Sequence, residues 1–510
     1  MGSNRSIVRS AGLIGFATFL SRVLGLIRDI LSAKIFGTSW VYDAFLMAFT
    51  IPNLLKRLLG EGALSSSFVP VFTGYLEKRS NPSAWRLASI VASWITLLSL
   101  VLVIAGIVGI TEILRIVSLE PKFKLMLLLL RILLPFLLLT AWSSWTMGVL
   151  NSYRHFWTPA LAPLFLNLGW IGALVWLCPL LGEQLDQQVY GLTWGLLIGG
   201  VIQCVVQIPP LWQRKPSLHW EINYRHEGAR EIGHLWFPSI FGLAVTQLSL
   251  TVDLYFGYLL GEGATSSLWY ANRLMQFPLG IFAAAMGTAV LPTFSAQAAN
   301  ERFDQFRETL GFSLRLLTLI VIPASVGLIF LREPIVRLLF ERDQFGSDST
   351  VRVASVLMYY CLGLFFYSGI KVLTSAFYSL KDTKTPVKAG FFGLALNVML
   401  NAILMWPLRE SGIALATAIS SGLNFVVLLI LLLRRVGGLD LKRFFDTLWR
   451  VGIAAGFMGI GSFWVSGHCT AYALWVQVVA AITGGILFFI MASVFLRVPE
   501  VKMALKLLQR

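Results

Sequence analysis

Eight ionisable residues lie in or at the ends of long apolar runs, where charge is expensive. Arg22, Arg28 and Asp29 interrupt the first run, while Asp43, Lys56, Arg57 and Glu61 bracket the second; Arg273 sits in WYANRLMQFPLG with no acid within one turn. An ion held at a bilayer centre costs at least about 2.5 kcal/mol, so each must face a cavity, a partner or a substrate. Arg22 and Asp29 are seven apart and share a helix face, with Gly25 between them permitting a bend. Asp29 and Glu61 offset part of the charge, yet Arg22, Arg28, Lys56 and Arg57 leave a cationic surplus. Phosphate or diphosphate matches it, because guanidinium forks bind its oxygens in pairs. A plainer reading stands beside this one: Arg57 and Glu61 form an i,i+4 helix-end pair, and Asp29 neutralises Arg28.

A second constellation is poorer in charge. Asp253 is a lone acid in LSLTVDLYFGYLL, Asn397 and Asn401 share one helix face at i,i+4, and Thr417 lies in the next run. Such oxygen ligands suit a hard cation such as Na⁺, or a proton relay. Paired asparagines inside a membrane equally well make interhelical hydrogen bonds.

The elements that must position these residues follow from composition. Of 510 residues, 57% are hydrophobic and only 13% charged, against about a quarter charged in soluble domains. An ordinary soluble enzyme is excluded, and an all-α polytopic membrane protein is expected. A hydrocarbon core needs about 20 apolar residues per helix, and such runs recur from end to end, giving about fourteen spans. The net charge of +16 comes from residues scattered through short connectors, which argues against a nucleic-acid face. The even-numbered connectors and the termini hold most of it, so both termini are expected in the cytoplasm, with exceptions at Lys122 to Lys124 and around Arg332 to Arg352. The stretch LREPIVRLLFERDQF reads as an interfacial amphipathic helix.

LNSYRHFWTP at 150–159 parallels FYSLKDTKTP at 377–386, displaced by 227, and FVPVFT at 68–73 parallels VLPTFS at 290–295, displaced by 222. Six spans per copy give two pseudo-symmetric lobes of the same orientation, a plan known among transporters. The expected division is 1–215, then 216–440 after a cytosolic linker, then 441–510 with two further helices and an apolar groove for a lipid tail.

Several chemistries are absent from the pattern. No Walker loop, HExxH or GxSxG occurs, and Cys178, Cys204, Cys361 and Cys469 form neither a disulfide framework nor a zinc motif. His219, His226 and His234 are spaced too irregularly for a metal site. With no nucleotide domain, no cofactor and no transition metal expected, energy must come from an ion gradient, the membrane potential or the substrate gradient.

SRVLGLIRD at 21–29 and DAFLMAFTIPNLLKRLLGEGALSSSFVPVF at 43–72 resemble the MurJ (MviN) lipid II flippase family, as do YANRLMQFPLGIFAAAMGTAVLPTFS at 270–295, EPIVRLLFERDQF at 333–345 and FYSLKDTKTPVK at 377–388. That family belongs to the multidrug, oligosaccharide-lipid and polysaccharide exporter superfamily. The resemblance implies a transporter that moves undecaprenyl-diphosphate-linked peptidoglycan precursor, lipid II, across the bacterial inner membrane by alternating access. It implies cavity arginines at Arg22, Arg28 and Arg273, acids at Asp43 and Glu61, and a sodium site at Asp253, Asn397, Asn401 and Thr417. Three features depart from the family pattern: Lys56 replaces an arginine, Asn272 and Gln276 replace acids beside Arg273, and Asn401 replaces an acid at the cation site. Competing readings are a flippase for another polyprenyl-diphosphate saccharide, a drug or cation exporter, a membrane glycosyl- or phosphotransferase, and a scaffold for wall synthesis.

Overall fold

In a computed structural model the chain is helical, with no strand among the described residues, 2–61 and 63–501; side chains at 1–14, 59–63, 241–243, 246, 281 and 284 lie outside the description. The main helices are α1 (Gly2–Phe36), α2 (Trp40–Leu55), α3 (Ala63–Lys78), α4 (Asn81–Ile116), α5 (Pro121–Leu133), α6 (Phe136–Ser152), α7 (Trp157–Gly172), α8 (Leu185–Val205) and α9 (Glu227–Leu260). They continue as α10 (Ala264–Pro278), α11 (Ala284–Ala299), α12 (Phe303–Phe330), α13 (Arg332–Phe340), α14 (Ser347–Leu362), α15 (Leu364–Ser379), α16 (Lys384–Val436), α17 (Leu441–His468) and α18 (Leu474–Phe495). They form two compact units, Met1–Thr251 and Val252–Arg510.

Eight helical stretches among the described residues are long and apolar enough to cross a membrane, and α14 with α15, bent by 41°, makes a ninth if the pair is one span. The sequence-based number of about fourteen is larger for identifiable reasons. It takes in α1, α2, α9 and α10, which carry the intramembrane charges, and it counts α16 twice. That last choice has a structural basis: Asn397 and Thr417 touch at 3.1 Å although twenty positions apart, a separation of about 30 Å along a straight helix. The chain folds back at Arg409, which follows Pro407 and adopts φ 51, ψ −136.

In the first unit, Phe68, Phe72, Trp85, Trp145, Val149 and Ile232 build a core that joins α3, α4, α6 and the start of α9. Between α7 and α8 small residues do the packing, which lets the two backbones approach closely. A Cβ on Gly169 of α7 would run into Gly199 Cα and lie 2.9 Å from the Gly195 carbonyl oxygen of α8. Only glycine permits that approach.

The internal repeat is visible as local geometry. After α6 the His155 N–H donates to the Leu150 carbonyl at 2.9 Å, and after α15 the Asp382 N–H donates to the Phe377 carbonyl at 3.0 Å. Arg154 and Lys381 both take left-handed backbone, with φ 60 and 58. The following residue then bonds a threonine in the first turn of the next helix in each copy: His155 Nε2 meets Thr158 Oγ1 at 2.8 Å, and Thr385 Oγ1 donates to Asp382 at 2.6 Å. These are the helix-ending bonds of a Schellman motif, repeated at equivalent positions with a basic residue in place of the usual glycine.

Helix α13 is short, with Val336 and Phe340 buried. Both exceptions to the charge pattern have acidic partners: Lys122 lies 3.9 Å from Asp43, and Arg352 lies 2.7 Å from Glu410.

Candidate functional site

Arg28 is the most thoroughly positioned cation of the first unit, only 7% exposed. Its Nε and Nη2 donate to Asp29 Oδ1 at 3.0 and 2.8 Å, and its Nη1 donates to Asn167 Oδ1 at 3.2 Å. The guanidinium lies 4.3 Å from the centroid of Trp170. Asn167 is itself held by donation to the Ser21 carbonyl at 3.3 Å, and Trp170 by donation to Ser32 Oγ at 3.2 Å. A guanidinium has five N–H donors, so these three bonds leave two for an incoming anion.

From Trp170 a seam of aromatic rings leads to the second cation. Trp170 meets Phe49 edge-on at 5.3 Å, Phe49 meets Phe136 at 6.3 Å, and Lys56 Nζ stands 5.9 Å from the Phe136 centroid. Lys56 is buried at the point where α2 passes into a π-helical segment, Lys56–Glu61. Cations on ring faces keep part of their electrostatic stabilisation without spending hydrogen-bond donors. Arg28 and Lys56 therefore belong to one continuous surface.

The remaining predicted residues are placed differently. Arg22 is exposed on α1. Asp43 is fully buried at the opposite end of α2, against Lys122. Arg57 is exposed and donates to Gln247 Oε1 at 3.0 Å, while the Glu61 side chain lies outside the description. Arg273 is half-buried on α10, where Gln276 donates to Asn272 at 2.6 Å. Asn167, Trp170 and Phe136 were missed by sequence reasoning; a lone asparagine in the apolar run LFLNLGW was the available signal.

The second unit brings its four predicted residues into one cluster. Asn401 Nδ2 donates to Asp253 Oδ1 at 2.8 Å, Thr417 Oγ1 donates to Asp253 Oδ2 at 2.7 Å, and Asn397 Nδ2 donates to Thr417 at 3.1 Å. Asn401 Oδ1 is buried without a hydrogen-bond partner. Among the described residues, no group of three or more histidine, cysteine or acidic side chains is arranged to hold a metal.

A family model described as lipid II flippase MurJ matches residues 32–484. The chain belongs to the lipid II flippase MurJ family. Its members are transporters rather than enzymes. The lipid II flippase MurJ of Burkholderia cenocepacia is 33% identical over 427 residues, 82% of each chain. The probable lipid II flippase MurJ of Vibrio cholerae is 32% identical over 437 residues, 83% of this chain and 82% of the relative. A solved lipid II flippase MurJ in an inward closed conformation aligns with TM-score 0.80 and 28% identity, covering 95% of this chain and 99% of that one. An inward-facing multidrug resistance MATE family transporter of the MOP superfamily aligns with TM-score 0.65 at 16% identity, covering 82% of this chain and 94% of the other. That second likeness shows a shared fold only. Membership in the flippase family also makes this a multi-pass membrane protein of bacterial type.

Proposed function

We propose that this chain carries lipid II from the cytoplasmic to the periplasmic leaflet of the inner membrane by alternating access, with both termini in the cytoplasm. The observation that supports it best is Arg28, buried on Trp170 with two N–H donors unspent. A diphosphate offers paired anionic oxygens to such a fork, and Lys56 at the other end of the ring seam adds a second positive charge. Arg22, Arg57 and Arg273 contribute further charge, and Asp29, Asp43 and Glu61 limit it. The functional lobes are 1–215 and 216–440. The last two helices, within 441–510, border an apolar cavity of about 270 Å³ lined by Pro323, Leu328, Met458, Ile482, Ile486 and Phe489, suited to part of the polyprenyl tail.

Asp253, Asn397, Asn401 and Thr417 fit a sodium ion by donor type, and the buried, unpartnered Asn401 oxygen adds a ligand. Bound there, sodium would supply positive charge to α9 and α16 in place of amide donors. The membrane potential is the other source of drive.

Proteoliposomes holding fluorescent lipid II, a polyprenyl diphosphate with an unrelated saccharide, or a cationic dye separate the readings. Protein-dependent leaflet transfer of lipid II alone is expected. Transfer of the dye in its place would make the chain a drug exporter.

A further inference from the structure

The connector between α8 and α9 has an inverted pattern. Over 217–224 its apolar residues face outward: Leu218, Trp220, Ile222 and Tyr224 are 42, 62, 52 and 69% exposed. Between them Glu221 and Asn223 turn in toward the protein. A period of two is that of an extended strand with two unlike faces.

The inner face is fastened to α4. Ser89 Oγ donates to the Ser217 carbonyl at 3.3 Å and accepts from the His219 N–H at 3.4 Å, and Ser93 Oγ accepts from the Glu221 N–H at 3.2 Å. Four helical residues rise about 6 Å, and two extended residues advance about 6.7 Å, so the serine pair and the 219/221 pair stay in step. The match also sets direction: the strap runs with α4, away from its polar start and into its apolar run. Ser93 is seven residues beyond Arg86, about 10 Å further along the axis. The Glu221 carboxylate reaches back to Arg86, which grips it through Nε at 2.9 Å and Nη2 at 2.7 Å. The Arg225 N–H then bonds Asn223 Oδ1 at 3.0 Å, turning the chain, and Glu227 pairs with Arg79 at 2.8 Å as α9 begins.

Glu221 and Glu227 are thus matched by Arg86 of α4 and by Arg79, just after α3, while Arg214, Lys215, Arg225 and Arg230 are exposed around them. We infer that residues 217–224 form a strap that dips into the cytoplasmic leaflet and binds anionic phospholipid, its aromatic residues at headgroup depth and these four cations on the phosphates. Tryptophan and tyrosine favour that depth, and basic groups beside a membrane concentrate anionic lipid. The apolar outer face continues the lipid-facing side of α4, where Leu97, Leu98 and Val101 are exposed. None of this depends on the cargo.

The test uses full-length, cysteine-free protein in vesicles, with bimane attached at Trp220→Cys or Ile222→Cys and, as inward controls, at Glu221→Cys or Asn223→Cys. The quencher is a nitroxide on the acyl chain of either phosphatidylglycerol or phosphatidylcholine. Positions 220 and 222 should be quenched and 221 and 223 spared. Phosphatidylglycerol should quench roughly five-fold more strongly per lipid, falling to parity when Arg214, Lys215, Arg225 and Arg230 are all changed to glutamine. Quenching of 220 and 222 only by aqueous reagents, or equal quenching by both lipids in the unaltered charge background, would overturn the inference.

Discussion

The two polar clusters inside the helices solve the cost of buried charge in opposite ways. In the first unit, Arg28 and Lys56 rest on the faces of Trp170 and Phe136, and Arg28 bonds only Asp29 and Asn167 among its described partners. In the second, both oxygens of Asp253 accept hydrogen bonds from neutral donors, Asn401 and Thr417. Arg28 keeps donors in reserve for an anion. The second cluster is closed on itself, and a cation entering it must displace an amide. From this difference we propose that the first unit recognises cargo and that the second, through Asp253, couples transport to a cation.

The comparison can be broken most severely at Asp29. It is fully buried, and Asp29→Ala would leave the Arg28 charge without its carboxylate, at a cost of about 3–5 kcal/mol. Thermal unfolding in detergent should register a loss of that order, and a variant as stable as the parent would show that Arg28 is compensated elsewhere. Asp253→Asn should do far less to stability, about 1 kcal/mol for exchanged neutral hydrogen bonds, while removing any sodium dependence of transport. A wild-type response to sodium in that variant would take the coupling role away from the second cluster. Trp170→Leu keeps apolar bulk and removes the ring face, so it should weaken lipid II affinity by roughly 2- to 30-fold, in line with about 0.5–2 kcal/mol for a cation on a ring. Unchanged affinity in a titration would reduce the aromatic seam to packing.

The smallest effect lies outside the membrane-spanning helices. Hydrogen bonds from Arg86 hold the Glu221 carboxyl at about 2, below its ordinary value of 4.5. The lowered value means that this pair contributes above the unfolded carboxyl's range and is lost as acid is added, between about pH 5 and pH 2. Protease nicking of the 213–226 connector should rise over that interval in the parent protein. Glu221→Gln should be nicked more readily at neutral pH and show no such step.

Much of this was legible in the sequence because it is local. The intramembrane charges, the Thr-Pro repeats and the Asn397/Asn401 pair could be picked out by residue type and short spacing, while Asp253 and Thr417 were joined to that pair by the family resemblance. What escaped detection depends on pairs far apart in the chain. Nothing near Arg28 announces Asn167 or Trp170, which reach it because α7 packs along α1. Lys122 looked like a misplaced positive charge until Asp43, at the start of another helix, supplied its partner. The strap is a related case: its alternation of Leu218, Trp220, Ile222 and Tyr224 is visible in the sequence, but which face is inward is set by Ser89, Ser93 and Arg86 of α4.

The central claim is that the unspent donors of Arg28 take the diphosphate. Lipid II transfer between leaflets of proteoliposomes should be compared for the parent, Arg28→Lys and Arg28→Ala at matched abundance and folded content. The account predicts loss of transfer in the alanine variant and partial activity with lysine, which keeps charge without the fork. Transfer by Arg28→Ala at the parental rate would contradict it.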